Sequence, residues 1–145
     1  MTTTSATDRR EQAKEQYNAF FAQCPSRRLL DRISDKWVVL ILCALGGDAT
    51  GAPETPPAPR AMRYSELSRL LAGVSQKMLT QTLRSLERDG LLTRTVTPTV
   101  PVTVSYELTA LGQSLHTMTR GVRSWAQGHM NEVLANRTAH DERTA

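Results

Sequence analysis

The sequence predicts a mainly α-helical fold with one small β-hairpin. Apolar residues recur at helical spacing in several segments, and glycine or proline residues separate these segments. Two threonine-rich, β-prone segments lie on either side of Pro98-Thr99-Val100-Pro101, as in a hairpin with a short tip. Because the chain has 145 residues, 39% of them hydrophobic, we expect one compact domain over residues 8–134.

Three helices are predicted in the first third of the chain. Residues 1–7 are small and polar and are expected to form a flexible arm, followed by a helix over residues 8–21. Pro25 is placed in the first turn of the second helix, because the N–H group that it lacks is not needed there. Ser34 is the expected N-cap of the third helix, and the apolar run 37–45 in that helix is predicted to be buried.

A loop is predicted to follow the third helix. Residues 46–61 contain four of the seven prolines and three glycines, a composition typical of a mobile loop. After the loop, a short helix is expected over residues 64–71 with Ser65 as its N-cap. A tight turn at Gly73 then leads into a helix over residues 75–89, for which Ser75 is the predicted N-cap.

The last part of the chain is predicted to contain the hairpin and a final helix. Gly90 supplies a left-handed stop after the preceding helix. The two strands of the hairpin are expected over residues 91–97 and 102–108. Thr109 is the expected N-cap of a helix that reaches about Leu134, and residues 135–145 are predicted to be a polar tail.

The predicted helix over residues 75–89 has two chemically different faces. Its apolar side chains fall on one side, while long cationic donors and two glutamines fall on the other. Such donors bind guanine and phosphate groups, and glutamine amides pair with adenine, so this face suits DNA. The predicted DNA-binding residues are Ser75, Gln76, Lys77, Thr80, Gln81, Arg84 and Arg88 on this helix, with Arg94 on the hairpin.

The distribution of charge supports the same surface. Residues 60–95 hold seven Lys or Arg and three Asp or Glu, an excess equal to the net charge of the whole chain, +4. Such a concentration suits a surface that faces a polyanion. A short helix, a tight turn and a second, polar-faced helix form a helix-turn-helix, and the hairpin behind it forms a wing.

Several runs of residues resemble the HxlR family of winged helix-turn-helix regulators. They include Cys24-Pro25, Lys36-Trp37, Arg63-Tyr64-Ser65-Glu66-Leu67, the run from Val74 to Arg84, and Asp89-Gly90-Leu91. The resemblance extends over about residues 24–115 and implies a transcriptional regulator that binds double-stranded DNA as a homodimer. Asp35 stands where the family usually has glycine, and the loop 46–61 is longer than usual.

The resemblance also implies that the N- and C-terminal helices form the dimer interface. The predicted dimerisation residues are Tyr17, Phe20 and Phe21 in the first helix, and Val122, Trp125 and Met130 in the last. These apolar side chains exceed what a small domain readily covers by itself. The alternative is that both helices only close the core of a single chain.

The two cysteines are predicted to differ in reactivity. Cys24 precedes a helix start near Arg27 and Arg28, and both features stabilise a thiolate. Some members of the family that this chain resembles sense oxidants or electrophiles through a cysteine in this region, so Cys24 is the sensor candidate. Cys43 lies in the apolar run and is predicted to be inert. Alternatively, Cys24 is structural and the protein responds to a small molecule or to no signal.

Other classes of function find little support in the sequence. The chain lacks the nucleophile, zinc-protease and nucleotide motifs of enzymes, and its two cysteines and three histidines lack the spacing of zinc ligands. We therefore expect no enzyme activity, no metal and no cofactor. A protein-interaction module would favour exposed apolar side chains over the donors of helix 75–89. Without a long apolar run or a secretory signal, the protein is expected to be cytoplasmic and not bound to a membrane.

Overall fold

The structure is a computed structural model that describes residues 5–17, 24–48 and 58–144. Its contacts divide the chain into two compact units, Met1–Val38 and Val39–Ala145. Parts of the first predicted helix and of the predicted loop 46–61 lie outside the described residues. The elements are α1 (Ala6–Tyr17), α2 (Pro25–Ile33), α3 (Lys36–Leu45), β1 (Met62–Arg63), α4 (Tyr64–Leu70), α5 (Gln76–Arg88), β2 (Leu92–Thr97), β3 (Thr103–Leu108) and α6 (Ala110–Thr144).

In the first unit, α1 begins two residues earlier than predicted. The Ser5 N–H group donates to Asp8 Oδ2 at 3.2 Å, and the Asp8 N–H group donates to Ser5 Oγ at 3.1 Å. This reciprocal pair satisfies N–H groups at the start of the helix, as a capping box does. The helix therefore includes Ala6 and Thr7, which were assigned to a flexible arm. The second helix starts at Pro25, as predicted.

The N-cap of α3 is Asp35, so the prediction of Ser34 is wrong. Asp35 Oδ1 accepts a hydrogen bond from the Trp37 N–H group at 2.9 Å. The hydroxyl group of Ser34 instead donates to the carbonyl oxygen of Asp31, at the end of α2, at 3.0 Å. The aspartate that departs from the usual glycine thus has a local role, because its carboxylate satisfies an N–H group at the start of α3.

The second unit is built around a core of aliphatic side chains. The predicted helix in the apolar run is confirmed, and it ends before Gly46 and Gly47, the latter with φ of 91°. No helix in the described parts of the chain has both the length and the apolar character needed to cross a membrane. The buried aliphatic residues are Ile41, Leu42 and Leu45 of α3, Leu67 of α4 with the adjoining Leu71, Leu79, Leu83 and Leu86 of α5, and Leu92 and Leu108 of the strands.

The β-structure is a three-stranded antiparallel sheet with strand order β1-β3-β2. The predicted hairpin of β2 and β3 is confirmed, with a register that runs from Leu92 opposite Leu108 to Thr97 opposite Thr103. The third strand, β1, was not predicted. Because Arg63 is still in this strand, α4 begins at the next residue, and Ser65 is not its cap.

The final helix, α6, is longer than predicted. Thr109 is its N-cap, as expected, because its Oγ1 accepts from the Gly112 N–H group at 3.1 Å. The helix has 35 residues and continues to Thr144, so the predicted end near Leu134 is wrong. Residues 135–144 contain no glycine or proline that would end a helix, and their polar character makes them exposed without unfolding them. Along residues 120–144, all of them described, no side chain is buried.

Candidate DNA-binding surface

Helices α4 and α5 are joined by a short turn and held together by a tyrosine. The turn contains Gly73, whose φ of 89° lies in the left-handed region. The hydroxyl group of Tyr64, at the start of α4, lies 3.2 Å from the Gln76 carbonyl oxygen and 3.3 Å from Thr80 Oγ1. Tyr64 was not among the predicted site residues, because its sequence neighbours give no sign that it reaches α5.

The inner face of α5 fixes this helix against the core. Leu79, Leu83 and Leu86 are buried, as is Thr82, whose hydroxyl group donates to the Met78 carbonyl oxygen at 2.8 Å. Met78 itself was assigned to this face but is 37% exposed, so it lies at the edge of the core.

Both ends of α5 are formed as predicted. Ser75 Oγ accepts from the Met78 N–H group at 3.0 Å, and Gly90 follows the helix with φ of 76°. The side chain of Ser75 therefore caps the helix. The N–H groups of the first turn, including those of Gln76 and Lys77, have no carbonyl partner within the helix and point outward from its start.

The outer face of α5 presents the predicted donors to solvent. Arg84 lies eight residues after Gln76, so the two are separated by about 12 Å along the helix axis. Thr80 is only half-exposed, because Tyr64 lies against it. The exposed residues of the predicted set on this helix and its cap are Ser75, Gln76, Lys77, Gln81, Arg84 and Arg88.

The wing adds one more cation. Arg94 lies in β2 opposite Tyr106 of β3, and directly paired residues project from the same side of a sheet. Arg94 therefore shares a face with Leu92 and Tyr106, which are buried, while Arg94 is exposed where the strand leaves the core. The helix-turn-helix and the wing together place the predicted cations on a single unit of the chain.

The predicted dimerisation residues of α6 are exposed. Trp125 is 54% exposed and Val122 is 59% exposed, and the Trp125 ring stacks on His129 with centroids 4.7 Å apart. Met130 is also exposed. The side chain of Tyr17, together with Phe20 and Phe21, lies outside the described residues.

The cysteines have different surroundings. Cys24 is fully buried at the N-cap of α2. Cys43 is half-buried in α3, and its thiol lies beside the polar side chains of Asp48 and His116. Burial raises the pKa of the Cys43 thiol to about 11, and the charge of Asp48 and a hydrogen bond to it act in the same direction. Arg123 and Thr119 oppose this shift.

A helix-turn-helix with a basic outer face on its second helix, followed by a small antiparallel sheet, defines a winged helix-turn-helix DNA-binding protein. A family model described as HxlR-like helix-turn-helix matches residues 32–134. The chain belongs to this family and is a transcriptional regulator, as the sequence predicted.

Individual relatives agree with this assignment. The HTH-type transcriptional regulator YtfH of Escherichia coli is 41% identical over 128 residues, which cover 88% of this chain and 90% of that protein. The solved structure of the transcriptional regulator YtfH from Salmonella typhimurium is 40% identical, with a TM-score of 0.69, and covers 83% of this chain and 97% of its own. The solved structure of the redox regulator HypR in its oxidized form is 30% identical, with a TM-score of 0.61. The match covers 73% of this chain and 97% of the HypR chain.

Proposed function

We propose that two copies of this regulator bind an inverted repeat in double-stranded DNA, with each α5 in a major groove. The observation that carries the proposal is the outer face of α5, where Gln76, Lys77, Gln81 and Arg84 are exposed beside one another. Long donors and amides at this spacing fit base edges and phosphates. A protein-interaction surface would instead favour apolar side chains.

Within this surface we assign base contacts to Gln76 and Arg84, and phosphate contacts to Lys77, Arg88 and Arg94. Arg84 lies in the middle of the exposed face, from which a guanidinium group reaches a guanine most directly. The cations at the two ends and on the wing lie where the DNA backbone borders the groove. Tyr64 acts as a positioning residue, because it holds Thr80 and the carbonyl group of Gln76.

The homodimer is supported by α6. Val122, Trp125 and Met130 are exposed, and Ala126 and Val133, which fall between Trp125 and Met130 in angle around the helix, are half-exposed. At about 100° per residue these side chains fall within one broad stripe of the helix surface. A second copy of α6 would cover this stripe and bring two reading helices together around a two-fold axis.

Selection from random duplex DNA tests the proposal. The bound sequences are expected to converge on an inverted repeat whose half-sites lie about one helical turn apart, or a multiple of that distance, because a two-fold dimer presents two related reading helices. Convergence on a single unrepeated half-site would contradict the dimeric arrangement. Failure to enrich any sequence, together with salt-independent binding, would contradict DNA recognition by this surface.

We further propose that oxidants or electrophiles regulate this binding through Cys24. The thiol lies at the N-cap of α2, close in sequence to Arg27 and Arg28. HypR, a relative with the same fold, is described as a redox regulator. Because Cys24 is fully buried, an oxidant can reach it only when the structure around α2 opens locally. A modified Cys24 would no longer fit its buried position, so the modification would change the conformation around α2.

Diamide or peroxide is expected to weaken binding of the parent protein to the selected DNA, while Cys24→Ser keeps its affinity under the same treatment. Binding is measured by fluorescence anisotropy before and after treatment, and again after dithiothreitol. Cys43→Ser is the matched control and should respond as the parent does, because the raised pKa of Cys43 keeps its thiol protonated. An unchanged affinity of the treated parent would contradict the thiol switch. The regulator would then respond to a small molecule or to no signal.

A further inference from the structure

Three potential metal ligands meet in the second unit, although 73 positions separate the first from the last in the sequence. Cys43 lies in the last turns of α3, Asp48 follows the end of this helix, and His116 lies in α6. One ligand atom from each residue lies within 4.8 Å of the other two. The absence of a metal site was predicted from the spacing of cysteines and histidines along the sequence. Such spacing does not reveal ligands that come from distant segments and meet only in the folded chain.

The geometry of the group is close to that of a metal centre. His116 Nε2 lies 2.9 Å from Asp48 Oδ2, and both side chains are 5% exposed. Zinc bonds of about 2.0 Å to nitrogen and oxygen at a tetrahedral angle separate those two atoms by about 3.3 Å. The pair therefore needs to open by only about 0.4 Å to admit an ion. The Cys43 sulfur lies within 4.8 Å of both atoms and would approach to about 3.5 Å, the separation that a zinc–sulfur bond of about 2.3 Å requires.

The surrounding residues hold these ligands in place. The Arg123 guanidinium group donates to the Asp48 carbonyl oxygen at 2.8 Å, and Arg120 Nε lies 3.6 Å from Asp48 Oδ1. Both arginines thus contact atoms of Asp48 other than Oδ2, the oxygen that faces His116. A Cβ atom on Gly46 would overlap the His116 ring, so a glycine is required at this position for the ring to lie against the backbone. Outer partners of this kind orient the ligands of metal sites.

We propose that Cys43, Asp48 and His116 form a binding site for a Zn²⁺-class transition metal ion. A thiolate, an imidazole and a carboxylate suit zinc, whereas magnesium and calcium prefer oxygen ligands alone. Three protein ligands leave the fourth tetrahedral position to water. The two anionic ligands balance the charge of a divalent ion, which allows the site to form beside two arginines.

Binding proceeds without any change of oxidation state. The Cys43 thiol releases its proton to solvent as its sulfur bonds the ion, and bonds to the ion replace the contact between Asp48 and His116. His116 binds through Nε2, with its remaining proton on Nδ1. The ion would then connect the end of α3 to α6 by coordinate bonds.

Titration of the untagged, chelator-treated full chain with Co²⁺, a spectroscopic substitute for Zn²⁺, tests the site. We expect one ion per chain, a thiolate-to-cobalt charge-transfer band, visible bands of a tetrahedral centre, and loss of all of them when Zn²⁺ displaces the Co²⁺. Cys43→Ser should abolish the charge-transfer band, and His116→Gln should weaken binding by more than about 100-fold. The matched controls Cys24→Ser and His129→Gln should bind as the parent does.

A second measurement needs no variant. At alkaline pH, where part of the Cys43 thiol is ionised, Zn²⁺ should slow alkylation of Cys43 in the parent protein, as located by peptide mass mapping, because a sulfur bonded to the ion is less available to the reagent than a free thiolate. A parent without the thiolate-to-cobalt band overturns the proposal. It is also overturned if the band survives in Cys43→Ser, disappears in Cys24→Ser, or appears while Zn²⁺ leaves the alkylation of Cys43 unchanged.

Discussion

Arg84→Ala is expected to weaken binding to the selected DNA site by about 1–3 kcal/mol, roughly 5- to 150-fold, and to relax the preference at one base position. Arg84 is exposed in the middle of the outer face of α5, whose inner face is fixed by buried leucines. The backbone position of Arg84 is therefore fixed, and the loss of its side chain removes a base contact without changing the fold. Anisotropy titrations with the selected site and with single-base variants measure both effects.

Arg94→Ala is the matched comparison, because it removes the same charge from the wing. It should weaken binding to specific and unrelated DNA alike and reduce the slope of log affinity against log salt by about 0.9, as expected for one phosphate contact. Arg137→Ala, near the far end of α6, should change neither quantity. If Arg84→Ala bound the selected site as tightly as the parent, the assignment of α5 as the reading helix would be wrong.

Trp125→Ala is expected to weaken dimerisation by at least about 2 kcal/mol, roughly 30-fold, because buried tryptophans contribute most to interfaces of this kind. Trp125 is 54% exposed in the single chain and stacks on His129, so its ring is already oriented before association. Affinity for the inverted repeat should fall as well, since a monomer contacts only one half-site. Sedimentation velocity at several protein concentrations measures the change in assembly.

Asn131→Ala provides the control on the same helix. Asn131 is exposed, but it lies nine residues after Val122 and therefore about 180° around α6 from the middle of the proposed stripe. Its replacement should leave the dimer intact. A parent protein that sediments as a monomer at micromolar concentration, yet binds the full repeat with unchanged affinity, would contradict the proposed interface.

The helix-turn-helix could be predicted from the sequence because local signals determine its ends. Ser75 and Thr109 cap α5 and α6 through their own side chains, and Gly73 and Gly90 adopt the positive φ angles that glycine tolerates. The apolar side of α5 also follows from its helical period, apart from Met78. Each of these features depends on residues only a few positions apart.

The incorrect predictions concern places where two neighbouring residues could both cap a helix, or where residues distant in the sequence come into contact. Ser34 and Asp35 are both good caps, and the choice between them depends on the hydrogen bond that Ser34 makes to the preceding helix. The strand Met62–Arg63 has only two residues and exists because it pairs with Ser105 and Tyr106. The group of Cys43, Asp48 and His116 likewise depends on how α6 packs against the end of α3, which no local pattern encodes.

The length of α6 also has a mechanical consequence. Its last buried residue is Thr119, and 25 further residues extend to Thr144, a distance of about 37 Å along the helix axis. A tilt of about 5° where His116 meets Asp48 would therefore displace the far end of the helix by about 3 Å. A small rearrangement at the buried end of α6 would thus produce a larger displacement along its exposed length, and in the proposed dimer this displacement would reach the surface that contacts the second copy.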